Sequence, residues 1–332
     1  MDSNPNNKII LVGDKNSGKT SIFSMIFTNI YPSETSFFES TNSISKSQII
    51  FSGGELVELD DCGFEEKTNN KEYYIKPDVF ENVSTLIFVI NVESQKINTD
   101  NDNNNNIKNI NSNNINNTDD DFSDFYKIKK NNLLEISLQL LIEKSPKANI
   151  YIFIHKMDTI LINKREALFE EKKQEINQKL NKMNLNGKFF ATSIWDGSLY
   201  VPWREIMSNM VINKNKLEKG LSFLLEASDL DEVFLFERNT LLCIYSVDKG
   251  KVENKVERTK KISILIKKIK QSLRKCKAGF SFLKMRLNNI MVYIEEFTKY
   301  SYIMILSQNP KINYELLSLN IYILRKTLLK NS

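Results

Sequence analysis

The stretch Gly13 to Thr20, GDKNSGKT, constrains this chain more than any other. It fits G-x-x-x-x-G-K-[ST] without deviation, after a short apolar run (Ile9 to Val12) and before a segment with helical spacing of apolar residues (Ser21 to Phe27). Strand, glycine-containing loop and helix in that order form a phosphate cradle, because the loop turns its backbone N–H groups inward and the helix N-terminus favours negative charge. Lys19 is spaced to reach the β- and γ-phosphates, and Thr20 to place its hydroxyl on Mg²⁺. Gly13, Asp14, Lys15, Asn16, Ser17, Gly18 and Ser21 complete the candidate phosphate-binding set. A chance match in an ordinary Ser/Lys loop would lack the flanking strand and helix.

The N-terminal half continues in alternating β and α segments. Ser47 to Phe51 and Leu56 to Leu59 flank Gly53-Gly54 as a hairpin. Leu86 to Val92, Ile150 to Ile154 and Phe189 to Ala191 are apolar runs suited to strands buried on both faces of a mostly parallel sheet. Amphipathic stretches at Leu133 to Glu143, Lys164 to Met183 and Trp203 to Leu225 predict helices, which gives a doubly wound α/β fold. Between residues 95 and 121 an Asn/Asp tract is too polar to repay the entropy of ordering and is expected to be a disordered insertion. After Asp231 two strand candidates, a helix (Glu257 to Lys277), three strand candidates and a closing helix (Asn313 to Lys330) predict an α+β unit. The expected division is 1–202, a connecting helix at 203–230, and 231–332.

Function classes narrow on charge and hydropathy. The net charge of +5 mixes 46 basic with 41 acidic residues, which gives little support for nucleic-acid binding. No apolar run approaches the roughly 18 residues of a membrane span. Asp2 stands where myristoylation needs Gly, and LLKNS at the C-terminus offers no prenylatable Cys. A cytoplasmic protein without direct membrane insertion is expected, reaching any membrane through partners. Cys62, Cys243 and Cys276 lack metal-ligand spacing and are expected as reduced core thiols.

The base is addressed downstream. His155-Lys156-Met157-Asp158 closes the strand IYIFI, where guanine-specific proteins carry N-K-x-D. A carboxylate there accepts from guanine N1–H and the exocyclic amine, a donor pair adenine lacks, so Asp158 is expected to set specificity. Lys156 would lie along the base, Ser193 and Ile194 fit a third base-contacting loop, and His155, the only histidine, suits a structural role beside the base.

These strings, with Ser193-Ile194-Trp195-Asp196, Asn91-Val92-Glu93-Ser94 and Leu230-Asp231-Glu232-Val233-Phe234-Leu235-Phe236-Glu237-Arg238, resemble Rag GTPases of the A/B type (Gtr proteins in yeast). The resemblance spans nearly the whole chain outside the Asn-rich tract. It implies a P-loop GTPase domain followed by a roadblock/longin-like dimerisation domain, GTP or GDP with Mg²⁺, and pairing with a C/D-type Rag subunit. It further implies recruitment by a membrane scaffold to the lysosomal or vacuolar surface, where TOR-complex effectors receive amino-acid sufficiency.

Departures from the family pattern bear on hydrolysis. Asp60-Asp61-Cys62-Gly63-Phe64-Glu65 reads as D-x-x-G in two registers. With Asp61 on the Mg²⁺ side, as the ungapped match favours, Phe64 takes the glycine that meets the γ-phosphate and Glu65 the water-orienting position. With Asp60, Gly63 is in place and Phe64 stands where Gln is usual. Neither register supplies Gln, and Lys15 is a bulky cation where an activator's arginine would approach, so slow hydrolysis is expected. Thr41 alone matches the switch threonine that senses Mg²⁺ and γ-phosphate. A non-hydrolysing pseudo-GTPase scaffold is the alternative. Trp195 and Trp203 are expected as packing anchors. The helix from Glu257 should bury a stripe with Ile262, Leu265, Ile266, Ile269, Leu273 and Cys276, and hold its lysines, Lys267 included, on a solvated face.

Overall fold

β-branched and aromatic runs without polar interruption can only be buried on both sides, and they form the centre of a parallel sheet. The computed structural model describes residues 7–28, 30–38, 44–50, 56–62, 65–66, 72–93, 126–129, 133–211, 214–250, 254–275, 282–287 and 289–329. They divide into two units, one running to Asp196 and the other from Gly197 onward together with Ser24–Ile30.

The strands of the first unit are β1 (Asn7–Gly13), β2 (Ile44–Ile50), β3 (Leu56–Cys62), β4 (Glu65–Glu66), β5 (Glu72–Ile75), β6 (Val83–Asn91), β7 (Tyr126–Lys129), β8 (Asn149–His155) and β9 (Lys188–Thr192). Its helices are α1 (Lys19–Phe23), α2 (Leu133–Lys144) and α3 (Ile162–Lys182). Six strands form one sheet in the order β2-β3-β1-β6-β8-β9, with β1 parallel to both β3 and β6. The order reverses at β1, so a crevice opens beyond its C-terminal end, where the Gly13 loop begins. Ile10, Val12, Leu86, Phe88, Ile150 and Ile152 pack with Leu134, Leu138 and Leu141 of α2 and Ile176 and Leu180 of α3. A small antiparallel sheet, β4-β5-β7, was not foreseen, since two-to-four-residue strands leave no legible alternation. The Asn-rich tract and Gly53-Gly54 lie outside the described residues.

The second unit comprises α4 (Tyr200–Asn209), α5 (Lys214–Ala227), β10 (Glu232–Glu237), β11 (Cys243–Asp248), α6 (Lys255–Lys275), β12 (Phe282–Leu287), β13 (Ile290–Thr298), β14 (Ser301–Ser307) and α7 (Tyr314–Leu329). Its sheet runs β11-β10-β14-β13-β12, antiparallel throughout. Ile262 and Ile266 of α6 pack on Phe234, Phe236, Ile294 and Met304. The alternate residues Val233, Leu235, Ile303 and Ile305 are also buried, so both faces of the sheet are covered. Helix α5 touches β10, β11 and α7. A Cβ at Gly220 would lie 2.6 Å from Leu324 Cδ1, so the glycine permits that close approach.

Three expectations are corrected here. The helix expected over Trp203 to Leu225 is two helices, α4 and α5, and both belong to the second unit instead of forming a connector. The first ends at Asn209 and the second begins at Lys214. Leu265 is 39% exposed, and Lys267 is buried. The α6 face Thr259-Ser263-Lys267 is as buried as the apolar one. The Lys267 ammonium donates to the Met25 carbonyl at 3.0 Å and lies 4.9 Å over the Tyr200 ring, and burial lowers its pKa to about 7.

Candidate nucleotide site

The site is built where β1, β3, β8 and β9 end. Gly13 pairs with Val89 in β6 and has φ +153°; a Cβ there would sit 2.1 Å from the Val89 carbonyl oxygen. Gly18, at φ +101°, lies against the His155 ring, and a Cβ there would meet Cδ2 at 2.7 Å. Both glycines are therefore fixed by sterics. Between them Asn16 takes a left-handed φ of 60°, and Ser17 N–H donates to the Asp14 carbonyl. The buried Lys19 ammonium donates to the carbonyls of Gly13 (2.8 Å) and Asp14 (3.0 Å), which folds the loop around it.

Successive strand residues face opposite ways, so only one aspartate of the pair in β3 can face the loop. Asp61 does: its Oδ2 accepts from the Thr20 hydroxyl at 2.6 Å. Asp60 is turned to Lys8, 3.6 Å away, whose ammonium also donates to the Val79 carbonyl at 2.7 Å. Burial lowers the Lys19 pKa, with Asp61 opposing, and burial raises that of Asp61, with the Thr20 hydrogen bond and Lys19 opposing. Ser17 Oγ and Asp61 Oδ1 are buried with no hydrogen-bond partner. A polyphosphate and a divalent cation are the groups that would satisfy a donor and a carboxylate oxygen left in this state. Thr41 and Gly63 lie outside the described residues; Glu65 is placed only by its backbone, paired with Tyr74.

On the base side, His155 and Thr192 are cross-strand partners in β8 and β9, with Nδ1 3.0 Å from the Thr192 hydroxyl. Lys156 adopts a left-handed φ of 64°, and a short 3₁₀ turn, Met157–Thr159, follows. The Ser193 hydroxyl donates to Asp158 Oδ1 at 2.5 Å and accepts from Trp195 N–H at 3.0 Å, tying the two base loops together. Ile194 is half-buried beside them. Sequence reasoning missed Arg165, which donates to the carbonyls of Ile160 (2.8 Å) and Asp158 (3.2 Å). A cation in the first turn of α3 works against the helix dipole, and that was its available signal. Trp203 is buried as expected of an anchor, whereas Trp195 is 59% exposed and is not one.

Residues 8–266 match the family described as Gtr1/RagA G protein conserved region. The chain belongs to the Gtr1/RagA G protein family. It is 32% identical to Ras-related GTP-binding protein A of Dictyostelium discoideum over 317 residues, covering 95% of this chain and 94% of that one. It is 30% identical to GTP-binding protein gtr1 of Schizosaccharomyces pombe over 322 residues, covering 96% and 94%. A Roadblock/LC7 domain structure from Streptomyces avermitilis matches 33% of this chain and 92% of its own, at 11% identity and a TM-score of 0.27.

In this Gtr1/RagA member His155 joins the two halves of the site, packed on Gly18 and bonded to Thr192. Burial lowers its pKa to about 4, the Asp158 charge opposing, so the ring is neutral near pH 7. A folded pKa below the unfolded value of 6.5 makes the unfolded state bind more protons, so stability falls as pH drops from about 6.5 toward 4. The loss by pH 4 should be about 3 kcal/mol. His155→Asn should flatten this slope in urea denaturation at pH 7 and pH 5, and an unchanged slope would show that His155 is not its source.

Proposed function

We propose that this chain is a guanine-nucleotide switch that hydrolyses GTP slowly. The observation that carries it is the Asp158 carboxylate held by Ser193 and joined through His155 to a loop whose Lys19, Thr20 and Asp61 form one cluster. Asp158 accepts from the guanine edge, Lys156 flanks the base, and Ile194 closes the loop beside it. Lys19 and the loop N–H groups hold the phosphates. Thr20 and Asp61 would hold Mg²⁺, with Thr41 from the switch segment, and the cation would neutralise charge on the β- and γ-phosphates. With Asp61 facing Thr20, Glu65 falls at the water-orienting position, where a carboxylate can accept from the attacking water but lacks the amide N–H₂ that Gln offers the γ-phosphate and adds a like charge beside it, and slow turnover follows. The pseudo-GTPase scaffold alternative draws no support from a site whose lysine, threonine and aspartate are assembled.

Family likeness supplies the wider setting. The second unit acts as a roadblock-like dimerisation domain, pairing with a C/D-type Rag subunit. The heterodimer relays amino-acid sufficiency to the TOR complex from a scaffold on the lysosomal or vacuolar surface. Among the described residues no helix is long and apolar enough to cross a membrane.

Competition binding with Mg²⁺ tests the core of this reading, followed by single-turnover hydrolysis on the same sample. GTP and GDP should bind at least about a thousandfold more tightly than ATP. Hydrolysis should be slow, and Glu65→Gln should raise it. Equal affinity for ATP and GTP would overturn the assignment.

A further inference from the structure

The second unit contains a cleft of about 270 Å³ between α4, β11 and α6. Its central group is Arg204, whose guanidinium donates to the Ser246 hydroxyl at 2.8 Å and the Thr259 hydroxyl at 3.1 Å. Thr259 spends its own hydrogen on the Lys255 carbonyl, so toward Arg204 it can only accept. These neutral partners fix the guanidinium plane without balancing its charge, and among the described residues Arg204 makes no ion pair. Arginine has more N–H donors than two hydroxyls can use, in a planar fork that matches the oxygens of a phosphate.

The lining has more basic than acidic side chains. Lys214 and Lys260 line the cleft, Lys260 with Glu257 3.7 Å from its ammonium, against a single lining carboxylate, Glu205, which has interactions of its own. Lys267, further along the same polar face of α6, is buried, and burial lowers its pKa to about 7, so that it is only partly charged near neutral pH. Tyr200 lines the cleft too, and its hydroxyl makes no hydrogen bond among the described residues. A half-buried cation whose partners are neutral is compensated best by an anion, through charge-assisted hydrogen bonds stronger than those to hydroxyls. At ~30 Å³ per water molecule the cleft has room for a tetrahedral oxyanion and its remaining waters.

We propose that this cleft binds a phosphate-class oxyanion, gripped by Arg204, with the Tyr200 hydroxyl as a neutral donor and Lys214 and Lys260 setting the potential. The anion is either free phosphate or a phosphomonoester headgroup, and both present the same oxygens to Arg204.

The test uses the full chain saturated with GDP and Mg²⁺, so that the loop at Lys19 is filled. Inorganic phosphate is titrated by calorimetry against chloride at matched ionic strength. A second arm measures co-sedimentation with vesicles carrying a phosphoinositide monophosphate, against phosphatidylserine vesicles. Saturable binding in either arm that falls at least tenfold in Arg204→Gln supports the proposal, and the responding arm identifies the source. A Lys19→Ala chain that loses the phosphate signal while Arg204→Gln keeps it would assign the binding to the nucleotide loop and overturn the cleft. No specific binding in either arm overturns it as well, as does Arg204-dependent binding of polyglutamate alone. Should Arg204→Gln fail to fold by circular dichroism, Tyr200→Phe and Lys260→Gln take its place, with the same tenfold criterion for the pair combined.

Discussion

Asp158→Asn is expected to weaken GTP binding by about a thousandfold and to bring xanthosine triphosphate close to, or above, GTP in affinity. The carboxylate offers acceptors only, matching the two donors on the guanine edge. An amide places an N–H₂ where one acceptor stood, so it meets a guanine donor head-on and leaves buried polar groups unpaired. Xanthine presents a carbonyl at that point of its ring and can accept from the amide. Ser193 keeps the side chain oriented in the variant, since its hydroxyl donates to the retained carbonyl oxygen. Competition curves for GTP and xanthosine triphosphate on both proteins decide the matter. Unchanged selectivity would mean that Asp158 does not read the base.

Gly13→Ala is the second large effect. Its Cβ would be 2.1 Å from the Val89 carbonyl oxygen, a backbone atom of the central strand β6 that has no room to retreat. Overpacking and the unfavourable φ together should cost about 4 kcal/mol, lowering the midpoint of urea unfolding and abolishing nucleotide retention. Gly250→Ala is the natural comparison, because Gly250 has φ +78° but nothing within 4 Å of a Cβ. That variant should lose only about 1 kcal/mol, from backbone strain alone. Similar losses in the two variants would remove the steric argument.

The glycine loop, the carboxylate at the end of β8 and the alternating elements of the first unit were all legible. Each depends on residues within a few positions of one another, and local spacing maps directly onto strand, turn or helix. The five-strand sheet of the second unit was legible for the same reason, its segments being long and evenly apolar. The break between α4 and α5 was not, because the apolar spacing continues across it and only the surfaces available to each helix decide where it bends. Trp195 and Lys267 were misplaced alike: a side chain's type gives its average burial, whereas its actual burial is set by what packs against it.

The amino-acid sequence by itself determined that a G-x-x-x-x-G-K-[ST] loop stands between a buried strand and a helix, and that Asp158, the residue proposed to read the base, follows a second buried strand. It left Asp60 and Asp61 open, and said nothing of Arg165 bracing the turn at Asp158 or of Arg204 set against two hydroxyls with no ion pair among the described residues. Those were decided only when β3 settled beside β1, pairing Asp61 with Leu11, and when α4 and α6 came together. The physical reason is common to all of them. Strand alternation fixes that neighbouring side chains point oppositely, but only register against another strand fixes which one points at the site, and a charge is matched or unmatched only by groups that are distant along the chain and close in space.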